Sequence, residues 1–303
     1  MIRTVLGDIE KSELGATMCH EHFIIDLDRV RHDGVSKIET VEEVVPEIKM
    51  MMELGVKSAI EVSTIDLSRD VLKLKEIALQ TGLNIICSTG FYLSEYHPDW
   101  MDGASVEEIA DIYVKELMEG IDDTGIKAGI IAEIASSPNS FVKNEKKILE
   151  AAGMAAKKVG CAVSTHTSRY TAMETIDTLL ACGMDPDKII IGHQDLIDDS
   201  QYHLSLLEKG VNIAFDTCGK VSYMADEVRA RNAVRIIEAG YGDHLMVSDD
   251  VSRRSYFVSH GGVGYLAAYK TVLPLMKEYG ATDEDIYKIT TLTPARVLDN
   301  EWK

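Results

Sequence analysis

The chain has 303 residues, 46% hydrophobic and 27% charged, ordinary values for a globular protein with a large core. Its 50 acidic against 31 basic residues give a net charge of −19, which excludes nucleic-acid binding through clustered Lys and Arg and disfavours an anionic membrane surface. No segment is apolar enough to span a bilayer, MIRTVLGDIEKSELG lacks a signal-like apolar core, and the five cysteines are scattered with no CxxC pair, so a reduced, cytoplasmic protein is expected.

No repeat, low-complexity tract or Pro/Gly/Ser-rich linker divides the chain, and residues 1–303 are expected to form a single domain. In chain order, GATMCHEH (15–22) is the first strand candidate, and TVEEVVPEIKMMMELG (40–55) carries helix-period apolar positions ending at Gly. KSAIEVS (57–63), NIICSTG (84–90) and AGIIAEIAS (128–136) are the next strands, before the helical NEKKILEAAGMAAKKVG (144–160). CAVSTHTS (161–168), KIIIGHQD (188–195), VNIAFDT (211–217) and HLMVSDD (244–250) complete eight. Eight strand–helix units match a (β/α)8 TIM barrel, whose active site lies at the C-terminal rim of the strands. A doubly wound open sheet is the alternative, weakened by the lack of GxGxxG after the first strand.

Polar residues gather where these strands end. His20 and His22 alternate onto one face of the first strand, with Cys19 pointing the other way, behind the barrel wall. Glu133 lies within AGIIAEIA, His166 and His193 come late in their strands, and Asp250 closes LMVSDD. Singly, each has a plainer role: a hydrogen-bonded structural histidine, an outward-facing Glu, a helix N-cap Asp. Together on one rim they read as ligands for two divalent metals, since imidazole and carboxylate suit Zn, with Mn, Co or Fe as alternatives. His20, His22 and Asp250 would hold one ion, His166 and His193 the other, and Glu133 would bridge them.

These residues resemble the phosphotriesterase family of the amidohydrolase superfamily, through LGATMCHEH, TGFY, GIKAGIIAEIASS, STHTS, IGHQD, FDTCGK and SDDVSRRS, in order along nearly the whole chain. The resemblance implies a binuclear metal hydrolase of lactones, organophosphate triesters or related esters. Better-known members bridge their metals with a carbamylated lysine on the fourth strand. Here Glu133 follows Ala132, and the nearest lysine, Lys127, starts the strand, which is similar to the glutamate-bridged subgroup of phosphotriesterase homology proteins.

Lys220 and Tyr223 follow the seventh strand and Arg253 and Arg254 the eighth, where barrels often bind phosphate. They suggest a substrate with an anionic group, although at least one arginine could be only a structural ion pair. Tyr92 matches a tyrosine that lactone-hydrolysing relatives hold near the metals, where it would donate to a substrate oxygen or merely pack across the mouth. Arg169 and His260 are weaker candidates. The expected function is a lactonase or carboxylic esterase acting on a small, phosphorylated or neutral sugar lactone by attack of a metal-bridging hydroxide, with Asp250 moving the proton. The alternatives are a phosphoester hydrolase and a non-catalytic metal- or anion-binding barrel. A small-molecule substrate and a homodimer are the expected partners.

Overall fold

Eight short apolar runs become the strands of one parallel sheet in the computed structural model, which describes residues 1–303. They are β1 (Thr17–Glu21), β2 (Ser58–Glu61), β3 (Asn84–Thr89), β4 (Ile130–Ala135), β5 (Val163–His166), β6 (Ile189–Ile191), β7 (Asn212–Phe215) and β8 (Leu245–Val247). Neighbours pair in chain order. The ring is drawn together where His20 N donates to Ser248 Oγ at 3.0 Å and Asp250 N to His20 O at 3.3 Å. The architecture is the expected (β/α)8 barrel rather than an open doubly wound sheet, and every strand lies inside its sequence candidate.

The outer layer contains α1 (Val41–Met52), α2 (Val71–Thr81), α3 (Val106–Met118), α4 (Glu145–Val159), α5 (Ala172–Ala181), α6 (Ser200–Leu207) and α7 (Asp226–Glu238). Local chemistry sets their ends. Thr40 accepts from Glu43 N while the Glu43 side chain returns to Thr40 N, a capping box at the start of α1. Gly160, at φ 77°, ends α4 in the left-handed conformation that glycine tolerates best. No helix is long and apolar enough to cross a membrane.

Apolar residues segregate into two layers. Residues such as Ile85, Ile131, Val163 and Phe215 face the helices. Cys19, Ile60, Ile86, Ala132, Ile190 and Met246 fill the barrel interior, which Ile2 and the terminal Val297 and Leu298 help to fill.

Two irregularities decide what faces the mouth. Between β1 and β2 the pairing runs Met18↔Ala59 and then Glu21↔Glu61, so β1 carries one extra residue. Between β4 and β5 it runs Ile131↔Val163 and then Ile134↔Thr165, with one extra residue in β4. Such bulges re-aim side chains, and here each turns two consecutive residues inward: Cys19 with His20, and Ala132 with Glu133. The placement of Cys19 behind the wall is thereby corrected. It lies in the inner core beneath the histidines, because the bulge breaks the alternation on which that expectation rested. Two short hairpins were not foreseen, Ile2–Thr4 with Gly7–Ile9 and Ile25–Asp26 with Lys37–Ile38.

Candidate active site

The barrel brings His20, His22, Glu133, His166, His193 and Asp250 together at the C-terminal ends of its strands. Glu133 is central. Its Oε1 lies 2.7 Å from His166 Nδ1, 3.3 Å from His193 Nε2 and 3.2 Å from His20 Nε2, and its Oε2 lies 3.8 Å from His22 Nε2. Asp250 Oδ1 is 3.4 Å from His22 Nε2 and 3.9 Å from His20 Nε2. His193 and Asp250 stand just past their strands with left-handed backbones, φ 60° and 48°. Such geometry costs about 1–3 kcal/mol in a non-glycine residue and clusters at functional sites.

The donor set fits divalent metal. Three overlapping trios, His20–His22–Glu133, His20–His193–Asp250 and Glu133–His166–His193, each offer ligand atoms within 4.8 Å of one another. His20 Nε2 is buried with no hydrogen-bond partner, although a buried polar atom normally has one. Three imidazoles present Nε2 and His166 presents Nδ1. All are borderline ligands that Zn and its neighbours accept.

A further ring of residues orients these ligands. His22 Nδ1 lies 2.9 Å from Ser63 Oγ, whose hydroxyl donates to Glu61 Oε1 at 2.5 Å. A hydroxyl committed to Glu61 accepts from the ring, which places the proton on Nδ1 and leaves Nε2 free for metal. Asp216, directly after β7, accepts from His193 N at 2.9 Å, lies 2.8 Å from His193 Nδ1, and reaches within 3.2 Å of His20 Nδ1. Burial disfavours an imidazolium at His193, yet the Asp216 charge outweighs it and raises that pKa to about 10, so a metal ion taken up at Nε2 would displace a proton there while Asp216 keeps the one on Nδ1. Beneath them the fully buried Arg229 of α7 pairs with Asp195 at 2.6 Å and Asp226 at 2.9 Å. It also donates to Thr217 Oγ1, fixing the loop that follows β7.

The cluster opens on a cleft of about 460 Å³. Tyr92 lines it, buried, with its hydroxyl 3.4 Å from His166 Nδ1. Asp66 accepts from Tyr92 N, and His97 Nε2 donates to Tyr92 O. Lys220, Tyr223 and Arg253 line the same cleft. The Lys220 ammonium is buried against Asp250 Oδ2. Burial would raise the Asp250 carboxyl, but the Lys220 charge and a hydrogen bond with His22 hold it below the usual carboxylate range.

Other candidates are sorted differently. Arg254 is not among the lining residues, and its assignment to substrate is corrected: its guanidinium pairs with Glu43 of α1 at 2.7 Å, because the loop after β8 turns between Arg253 and Arg254. His260 is exposed and does not line the cleft. Arg169 lines its edge while pairing with Asp199 at 3.1 Å. Lys127 lines a separate depression with Arg3 and Asp8, remote from Glu133.

Sequence reasoning missed Asp216, Ser63, Arg31 and Tyr256. Asp216 is next to last in VNIAFDT and comes directly after β7, so the strand-end rule that singled out Asp250 would have found it. Arg31 and Tyr256 reach the cleft from short helical turns, Asp28–Arg31 and Arg254–Tyr256, well past the ends of β1 and β8, and carry no such signal.

The pattern of the phosphotriesterase family matches residues 1–298. The phosphotriesterase homology protein of Escherichia coli is 33% identical over 273 residues, covering 90% of this chain and 94% of its own. The phospho-furanose lactonase of Mycoplasmopsis synoviae is 32% identical, covering 98% of this chain and 91% of its own. The crystal structure of the Escherichia coli protein, complexed with phosphate in its active site, superposes with a TM-score of 0.92 at 31% identity over 95% of this chain and 99% of that one. A match along almost the whole chain, together with a cluster of metal-binding side chains at the barrel mouth, means that this chain belongs to the phosphotriesterase family of metal-dependent hydrolases.

Proposed function

We propose that this hydrolase opens a small lactone or related carboxylic ester that carries an anionic group, foremost a phosphate. His20, His22 and Asp250 would hold one divalent ion and His166 and His193 the other, Glu133 would be shared between them, and zinc is the first choice of metal. The observation that carries the reading is that the ligand cluster and a cationic wall share one cleft: Arg31 and Arg253 line it together with the histidines. In a chain with 50 acidic residues against 31 basic, that concentration of cations suits an anion. The lactonase activity named for the Mycoplasmopsis relative and the phosphate bound in the Escherichia coli structure support the same choice. The five unpaired cysteines support a reducing, cytosolic setting.

Two ions held by these residues would supply Lewis acidity at the carbonyl. The protein's own groups do the rest. Tyr92 Oη donates a hydrogen bond to the substrate oxygen. Asp250, kept ionised beside Lys220, accepts the proton of the attacking water at Oδ2 and returns it to the leaving oxygen. Arg253 and Arg31 hold the anionic tail, fixing the ring over the cluster.

The test is a panel of sugar lactones with and without phosphate, beside phosphodiester and phosphotriester chromogens, read with a pH indicator. Phosphorylated lactones should give the highest kcat/KM, and Asp250→Asn should lose at least 100-fold on the order of a missing acid–base catalyst. Preference for the phosphoester chromogens would replace the lactone reading. No turnover of any ester by metal-loaded protein would leave a binding barrel instead.

A further inference from the structure

Of the histidines facing Glu133, two lean on the same residue. We propose that Asp216 is a positioning residue that ties the two metal sites together, one carboxylate oxygen holding a histidine of each. This rests on the two-metal reading above.

Asp216 is completely buried. Its Oδ1 is shared by the backbone N–H and the Nδ1 of His193, at 2.9 and 2.8 Å. Its Oδ2 and His20 Nδ1 lie 3.2 Å apart as a close charged contact, and each is buried with no hydrogen-bond partner elsewhere to satisfy it. Arg229, the nearby buried cation, is committed to Asp195 and Asp226. An ionised carboxylate only accepts, so both rings present Nδ1–H to it. Both are thereby locked in the tautomer whose lone pair sits on Nε2, and those two nitrogens face Glu133 Oε1 at 3.2 and 3.3 Å. The remaining ligands do not touch Asp216: His22 is held by Ser63, and His166 meets Glu133 through the Nδ1 it would offer to metal. Outside the proposed ligands themselves, Asp216 is the residue that touches a histidine assigned to each ion.

The chemistry of an amide sharpens this. Asparagine has one acceptor and one donor where aspartate has two acceptors. The fixed His193 N–H claims the amide oxygen, so the amide NH2 faces His20 Nδ1. That favours the His20 tautomer with its proton on Nε2, which cannot bind metal. Asp216→Asn therefore damages the site of His20 and His22 and spares the other, whereas Asp216→Ala loosens both. Loss of an outer partner of this kind weakens metal binding by about 10–100-fold.

The experiment titrates cobalt into metal-free wild type, Asp216→Asn, Asp216→Ala and Ser63→Ala. It is read by visible ligand-field absorption and by equilibrium dialysis, with circular dichroism and thermal unfolding of the metal-free chains as the folding control. Wild type should take up two equivalents. Asp216→Asn should keep one at near wild-type affinity and lose about 10–100-fold on the other. Asp216→Ala should weaken both, and Ser63→Ala only one. Two equivalents at wild-type affinity in Asp216→Asn would overturn the proposal. So would an Asp216→Ala protein weakened at one site alone. If the alanine variant does not fold, the nearly isosteric asparagine decides the matter. Fewer than two equivalents in wild type would instead overturn the two-metal reading on which the proposal stands.

Discussion

Lys220 shows how far a residue's role depends on what it touches. Its position after the seventh strand marks it as an anion binder, and it lines the cleft as such a residue would. Yet its ammonium is buried against Asp250, the residue proposed to move the proton. Removing one partner of a buried pair leaves the other uncompensated. Lys220→Met is therefore expected to lower kcat/KM by about 10-fold or more on neutral and phosphorylated lactones alike. Arg253, whose carboxylate neighbour Asp33 is 3.9 Å away, has no such tie to the reacting centre. Arg253→Ala should raise KM on phosphorylated substrates and leave neutral ones nearly unchanged. Arg254→Ala should change neither, because its partner is Glu43 on α1. Steady-state kinetics of the three variants on a matched lactone pair checks all of this, and a phosphate-selective loss in Arg254→Ala would count against the assignment.

Among the elements, the strands were legible and their irregularities were not. Apolar β-branched runs bounded by turn residues identify a buried strand whatever surrounds it, which is why all eight were found. A bulge depends on how a strand pairs with a neighbour dozens of residues away, so Cys19 was assigned to the wrong face. The strand ends are also tightly fitted. A Cβ on Gly192, between β6 and His193, would sit 2.1 Å from Thr165 O and 3.2 Å from Asp216 Oδ2. Backbone cannot yield as a flexible side chain can, and overpacking of this kind costs about 1–3 kcal/mol or more. Gly192→Ala is expected to lower the denaturation midpoint by a corresponding amount and to reduce metal content, since the displaced strand carries His193. Wild-type stability and metal content in that variant would show that the strand end can shift freely.

On the scale of the whole molecule, the proposed metal site would join the barrel's first and last strands. His20 and His22 come from β1 and its end, Asp250 from just beyond β8, and Glu133 from the opposite side on β4. Ions bound there connect segments that are far apart in an unfolded chain, so they favour the native state. Removing them with a chelator should lower Tm by several degrees, and adding zinc back should restore it. A hundredfold excess of free metal over Kd is worth about 2.7 kcal/mol per ion. A melting curve indifferent to chelator would argue that the site contributes nothing to holding the barrel closed.

The amino-acid pattern fixes the order and number of βα units, and it puts the imidazole and carboxylate side chains of the proposed metal site at strand ends. Both follow from local rules, the period of apolar residues and the identity of the residue that ends each run. Contacts made in the folded chain decide that Cys19 and Ala132 turn inward beside His20 and Glu133 at bulges, that Asp216 rather than any residue singled out beforehand lies against two of the histidines, and that Arg253 and Arg254 part company. These outcomes rest on register, on loop crossings and on which distant carboxylate a cation meets. All are set by contacts between residues far apart in the chain, where local periodicity carries no information.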